Sequence, residues 1–145
     1  MRITKKPEER KAEIIATARE LFSKNGIQNT QVSMIVKKVG VAQGLFYYYF
    51  KSKDDVINAV IDQVFTELEY KLNEIVSNKK TNFYQKLIDY VDLYFESVGR
   101  VAPQIIQEMR LPLTYKVHRH IENDTRKLNE QLAKRLMEIG IKEGA

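Results

Sequence analysis

Apolar residues recur at intervals of three and four along nearly the whole chain, the spacing of one helical face, and no segment asks for a sheet. Ile14, Ile15, Ala18, Leu21 and Phe22 form a stripe that predicts a helix over 8–25. Pro7 suits its first turn, and Gly26 can adopt the left-handed backbone that closes it. Val32, Ile35, Val36 and Val39 form a second, shorter stripe, with Thr30 or Gln31 near its start and Gly40 at its end. A third helix is predicted over 42–50, with Phe46 and Phe50 one turn apart and facing inward. Ser52 and Asp55 stand at capping-box spacing and open a long fourth helix, whose stripe is Ile57, Val60, Ile61, Val64, Leu68, Leu72 and Ile75. Beyond a polar break at 77–82, a fifth helix carries Leu87, Val91, Tyr94, Phe95 and Val98. Gly99 and Pro103 predict a break, a short helix over 104–110 follows, and Pro112 ends it. The last long helix carries Val117, Ile121, Leu128, Leu132, Leu136 and Ile139 and closes at Gly140. The fold class is therefore all-α, with seven helices.

Composition narrows the class further. A chain of 145 residues holds one domain or two small, intimate ones, and 43% hydrophobic with 30% charged residues is enough to bury a core. The longest apolar run, residues 45–50, is far short of the ~20 residues that cross a bilayer. The basic N-terminus runs into Glu8 and Glu9 rather than an apolar stretch, so it does not read as a secretory signal. The absence of cysteine removes disulfides, iron–sulfur clusters and thiolate zinc sites. The expectation is a cytoplasmic protein with no cofactor and no membrane partner. Its charge is uneven: up to Lys53 eleven Lys and Arg face four Glu, a net +7, whereas the rest of the chain carries −2. A basic first third suits a polyanionic partner. A solvated lysine-rich surface would carry the same charges, so the motif within the segment has to decide.

That motif is TQVSMIVKKVGVAQGLFYYYFKSK, residues 30–53. Two short helices joined by a tight turn, Val39-Gly40-Val41, have helix-turn-helix spacing. A helix is narrow enough to enter the DNA major groove while the helix before it crosses the backbone. On the third helix, Gly44 and Tyr48 point roughly opposite the inward Phe46 and Phe50. Three consecutive tyrosines on one short helix cannot all be buried with their hydroxyls satisfied, whereas DNA offers phosphate oxygens to the hydroxyls and sugars or base edges to the rings. Gly44 costs a helix ~1 kcal/mol against alanine, and it makes sense where the helix backbone must lie close to DNA.

The first 57 or so residues resemble the DNA-binding domain of the tetracycline-repressor-like (TetR) family of bacterial regulators. The matching positions are Arg10, Ile14, Ile15, Ala18, Leu21, Phe22, Gly26, Thr30, Ile35, Gly40, Val41, Gly44, Phe46, Tyr47, Tyr49, Phe50 and Lys53. The resemblance implies a three-helix DNA-binding domain over 1–53 and a helical effector-binding and dimerisation domain over 54–145, joined by the long fourth helix. It places Gln43, Gly44, Leu45 and Tyr48 where the family touches bases, and Ser33, Ala42, Tyr47, Tyr49 and Lys53 where it holds phosphates. Ala42 stands where the family often has a capping Ser or Thr, and Leu45 where it has a small polar residue, so a thymine methyl is the natural partner of Leu45. The expected partners are double-stranded operator DNA of pseudo-palindromic sequence, a small-molecule effector of unknown identity, and a second copy of the chain. The basic arm, Arg2, Lys5, Lys6, Arg10 and Lys11, suits flanking phosphates or a minor groove, and equally a solvated tail.

Beyond Val56 the likeness is one of architecture alone. Tyr90, Tyr94, Phe95, Met109, Tyr115 and His118 are candidate effector-pocket residues, although such residues at helical spacing are more often plain core. His118-x-His120 does not suggest a metal, because helical residues two apart face away from one another. No nucleophile–base pair, phosphate-cradling glycine loop or paired-carboxylate constellation points to an enzyme. The segment 139–144 resembles the link after the seventh helix of the family, where two further helices usually pair with their twins. The chain is therefore expected to lack those two, and the competing reading is a truncated helical interaction module that pairs with another regulator without binding an operator.

Overall fold

The computed structural model describes residues 6–109 and 115–145, the side chains of 97–109 excepted. Six helices make up the described residues: α1 (Pro7–Asn25), α2 (Val32–Val39), α3 (Gln43–Tyr49), α4 (Lys53–Ser77), α5 (Phe83–Met109) and α6 (Tyr115–Glu143). The first four follow the hydrophobic pattern closely. The fifth corrects it, because α5 runs unbroken through Gly99 and Pro103, and the separate short helix expected over 104–110 is its continuation as far as Met109. A proline inside a helix removes one backbone hydrogen bond and crowds the carbonyl four residues earlier. Here that residue is Gly99, the most permissive backbone available.

Local chemistry sets the boundaries. Gly26 (φ 81°) closes α1, with its N–H on the Phe22 carbonyl. Gly40 takes the left-handed conformation (φ 77°, ψ 37°) that ends α2 and turns the chain toward α3. Thr30 is fully buried between α1 and α2, where its hydroxyl donates to the Gly26 carbonyl (2.8 Å) with the Leu21 carbonyl 3.2 Å away. That burial explains the threonine: a polar side chain is tolerated there because its hydrogen bond ties the loop to the end of α1. Ser52 caps α4 as its spacing predicts. Its hydroxyl accepts from the Asp55 N–H (3.3 Å), and the Asp55 carboxylate accepts from the Ser52 N–H (3.1 Å).

Two apolar cores share α4. The first joins Ile14, Ala18, Phe22, Ile35, Phe46 and Phe50 to Val56, Ile57 and Ile61, with Val117 of α6 packed beneath. The second joins Leu72 and Val76 of α4 to Leu128, Leu132 and Leu136 of α6. Within α4 the deepest positions include Val56 and Val76 as well as the expected Ile57, Ile61 and Leu72. The helix meets α1 along its first half and α6 along its whole length, so a single stripe does not describe it. On α5 Leu87, Val91 and Phe95 of the expected stripe are exposed, as are Tyr84 and Ile88, while Tyr94 is half-buried and the side chain of Val98 lies outside the described residues.

Ion pairs lock α4 to its neighbours. Arg19 of α1 grips Glu67 through both guanidinium nitrogens (2.6 and 2.9 Å). Lys116 of α6 reaches Asp55 at 2.7 Å. The hydrogen bond from Lys116, aided by those from Ser52, holds the Asp55 carboxyl below the ordinary aspartate value of 3.8. A carboxyl whose pKa is depressed on folding stabilises the fold above its unfolded pKa and ceases to do so as the pH falls through its folded value. Asp55→Asn is therefore expected to melt lower than the wild-type protein at neutral pH, with the gap closing below about pH 4. A gap of unchanged size at every acid pH where both proteins still fold, in paired thermal melts, would show that the charge of Asp55 is not what stabilises the start of α4.

Candidate nucleic-acid interface

The α2–turn–α3 unit rests on α1 through Ile35, Val36 and Phe46, all buried. Phe46 has no exposed surface, and its ring meets Phe50 at 5.5 Å and Tyr47 edge-on at 5.4 Å. With that side fixed inward, α3 turns Gln43, Gly44, Tyr47 and Tyr48 to solvent, Tyr47 50% and Tyr48 76% exposed. The pairs 43–47 and 44–48 are each one helical turn apart, so the four make a single outward face. Leu45 is half-buried at its edge, and Tyr49 packs partly against the core with its ring edge-on to Tyr48 at 5.0 Å.

Of the expected phosphate-contacting residues, Ser33 is exposed in the first turn of α2, its hydroxyl 3.4 Å from the Gln31 side-chain oxygen. Ala42 is the N-cap of α3 and makes no side-chain capping bond. Lys53 lies elsewhere: its ammonium donates to the Ile27 carbonyl in the loop after α1. In that position it braces the loop that carries α2, 26 residues earlier in the chain. Other cations of the head are similarly engaged, Arg10 with Glu13 (2.7 Å), Lys38 with Glu20, and Lys11 5.7 Å above the Phe50 ring. Lys37 and Lys51 are exposed on either side of α3 in sequence.

The candidate effector residues are only partly assembled. Tyr90 and Tyr94 stack in parallel, 6.5 Å apart, and Phe95 meets Tyr94 edge-on at 6.0 Å. Tyr90 packs against the second core, and burial raises its phenol above the ordinary value. Phe95 and Tyr115 are exposed, with Arg119 5.5 Å over the Tyr115 ring, and His118 is half-buried. The side chain of Met109 lies outside the described residues. A shallow groove lies elsewhere, between α1 and α4, lined by Ala16, Arg19, Glu20, Ser23, Lys24 and Gln63. One constellation escaped the sequence. His120 does not join His118; its Nε2 lies 2.5 Å from Asp62 on α4 and 3.4 Å from Asp124 one turn along α6. The 120–124 spacing is legible in the chain, whereas Asp62, 58 residues away, is brought in only by packing.

A basic head whose short second helix of the pair presents an outward glycine, an amide and two tyrosines is a helix-turn-helix reading head, and the protein is a DNA-binding transcriptional regulator. Residues 14–60 match the family described as bacterial regulatory proteins, tetR family. Over 138 residues the chain is 27% identical to the fatty acid metabolism regulator protein of Bacillus subtilis, covering 91% of this chain and 71% of that one. The solved structure of FadR from Bacillus subtilis in complex with stearoyl-CoA superposes with a TM-score of 0.70 at 25% identity, covering 92% of this chain and 72% of that one. A TetR/AcrR-family regulator from Thermobifida fusca superposes with a TM-score of 0.74 at 24% identity, over 94% and 72% of the two chains, which is a likeness of fold. The head, residues 14–60, thus carries a TetR-family DNA-binding domain, and the chain as a whole is similar to TetR/AcrR regulators. Matches to several other regulators cover less than half of their length. Among the described residues no helix is long and apolar enough to cross a membrane.

Proposed function

We propose that this regulator is a repressor that binds a pseudo-palindromic operator as a dimer and leaves it when a small-molecule effector binds the helical body. Gln43, Gly44, Leu45 and Tyr48 would meet base edges, and Ser33, Tyr47 and Tyr49 would hold phosphates. Ala42, without a hydroxyl, would offer only its backbone, and Lys53 would act by holding the head in shape. Two heads would sit about 34 Å apart, one turn of DNA. Exposed apolar rows on α5 and α6, including Ile88, Phe95, Met137 and Ile141, support association with another surface. An effector that shifted α4 against α6 would change the spacing of the heads without touching a base contact. The relative solved with stearoyl-CoA makes a long-chain acyl thioester the first effector to try; duplex release on its addition would support that choice, and unchanged binding would discard it.

The observation that carries the reading is Gly44. Its φ is not positive, and a Cβ built there would meet no atom within 4 Å. Nothing inside the protein calls for glycine, yet glycine costs the helix about 0.5–1 kcal/mol against alanine. Close approach of DNA to the exposed backbone is the external reason. Gly44→Ala is therefore expected to raise unfolding stability by about 0.5–1 kcal/mol while weakening a selected duplex by roughly tenfold or more, the size of one lost base contact. Denaturant melts and fluorescence anisotropy on the same preparation check both halves. Unchanged duplex affinity would remove Gly44 from the interface.

A further inference from the structure

We infer that Asp62, His120 and Asp124 form a site for a divalent first-row transition cation that pins α4 to α6. One ligand atom from each lies within 4.8 Å of the others. The two α6 ligands stand at the i, i+4 spacing that puts both on one face, with His120 Nε2 and an Asp124 oxygen 3.4 Å apart. Bonds of about 2.1 Å to a tetrahedral or octahedral cation place neighbouring ligand atoms roughly 3–3.5 Å apart. That pair is already at the required separation. Asp62, at 2.5 Å from the same nitrogen, needs only to move back by about half an ångström. One imidazole and two carboxylates, with no cysteine in the chain, select zinc, manganese, cobalt or nickel rather than a soft cation.

Several features make this more than a surface ion pair. The three side chains come from two helices and are 23–55% exposed, so a cation can enter without unfolding and keep water in its open positions. Two carboxylates converge on a single imidazole, which leaves one negative charge uncompensated even when the histidine is protonated. A divalent cation in place of that proton neutralises both. One turn before Asp62 on α4, the Asn58 side-chain oxygen is buried without a hydrogen-bond partner, a further neutral acceptor on the same helical face. The site also lies where it can matter: Lys116–Asp55 ties the same two helices at the start of α4, so a cation at Asp62 would fix a second point along the connector. A cation bound across both helices favours the arrangement in which its three ligands converge, and any shift of α4 against α6 would weaken it.

The test titrates the intact chain with Co2+, following its visible d–d absorption, and with Zn2+ by calorimetry. The expected result is one saturable equivalent per chain with a rise in melting temperature. His120→Ala and Asp124→Asn should each weaken binding by more than the roughly 10–100-fold that loss of a supporting group alone costs. Asp124→Asn keeps the shape of its side chain and reports on the site even if His120→Ala disturbs the packing. Absence of saturable binding in the wild-type protein, or binding as tight as wild type in both variants, would overturn the inference. No DNA enters these measurements, so they stand or fall separately from the operator reading.

Discussion

Replacing Phe46 with alanine is expected to cost about 3–5 kcal/mol and to abolish duplex binding, because it empties the centre of the reading head. Phe46 is among the largest side chains with no exposed surface, and it is the only buried residue of α3. A helix of seven residues does not persist by its own propensity. It is held by this ring against Ile35 and Phe50, and its outward residues hold their positions only while it stays docked. Against a total stability of about 5–15 kcal/mol, such a loss leaves a substantial fraction of heads unfolded. Tyr48→Ala is the matched comparison. With most of its side chain in solvent, Tyr48 should cost no more than about 0.5 kcal/mol of stability, yet weaken the duplex. Urea melts followed by circular dichroism separate the two. A Phe46→Ala protein that melted within about 1 kcal/mol of wild type would mean that α3 is held by something other than its inward ring.

Duplex affinity is expected to fall by roughly 10²–10³ between 50 and 200 mM salt. Each neutralised phosphate contributes about 0.9 to the log–log slope, so about five per head give a slope near −4.5. The figure of five rests on the cations that the protein does not consume itself. Of the eleven in the first 53 residues, Arg10, Arg19, Lys38 and Lys53 are bound by Glu13, Glu67, Glu20 and the Ile27 carbonyl. Among the described residues five others, Lys6, Lys11, Lys24, Lys37 and Lys51, are exposed, Lys11 with its stem against the Phe50 ring. Anisotropy titrations on one duplex at several KCl concentrations give the slope directly. A value flatter than about −2 would mean that fewer than three phosphates are neutralised, and that the +7 of the head is mostly spent on its own surface.

Much of the head was legible because its signals are local. A helical stripe, a left-handed glycine at Gly40 and a Ser52–Asp55 capping box each act within about one turn of chain, and each stands where the pattern places it. The outward placement of Gly44 and Tyr48 was legible for the same reason, since fixing Phe46 inward fixes the rest of a short helix. The partner of Lys53 was not. Nothing within four residues of it reveals that its ammonium reaches a carbonyl in the α1–α2 loop. The body was harder to read. Gly99 and Pro103 have the local chemistry of a break, but α5 continues through them, and Leu87, Val91 and Phe95 of its apolar stripe lie exposed where a stripe normally signals burial.

The chain by itself determined six of the seven helical segments expected of it as separate elements, the helix-turn-helix and its family, because periodicity, caps and motif spacing are properties of neighbouring residues. Only the tertiary structure decided which charges are spent internally, which face of α5 meets solvent, and that Asp62 stands beside His120 and Asp124. Those facts depend on how α1, α4 and α6 lie against one another. Contacts between residues 48 to 62 positions apart leave no periodic trace in the sequence, since an aspartate on a helix surface looks the same whether it faces water, a lysine or a histidine.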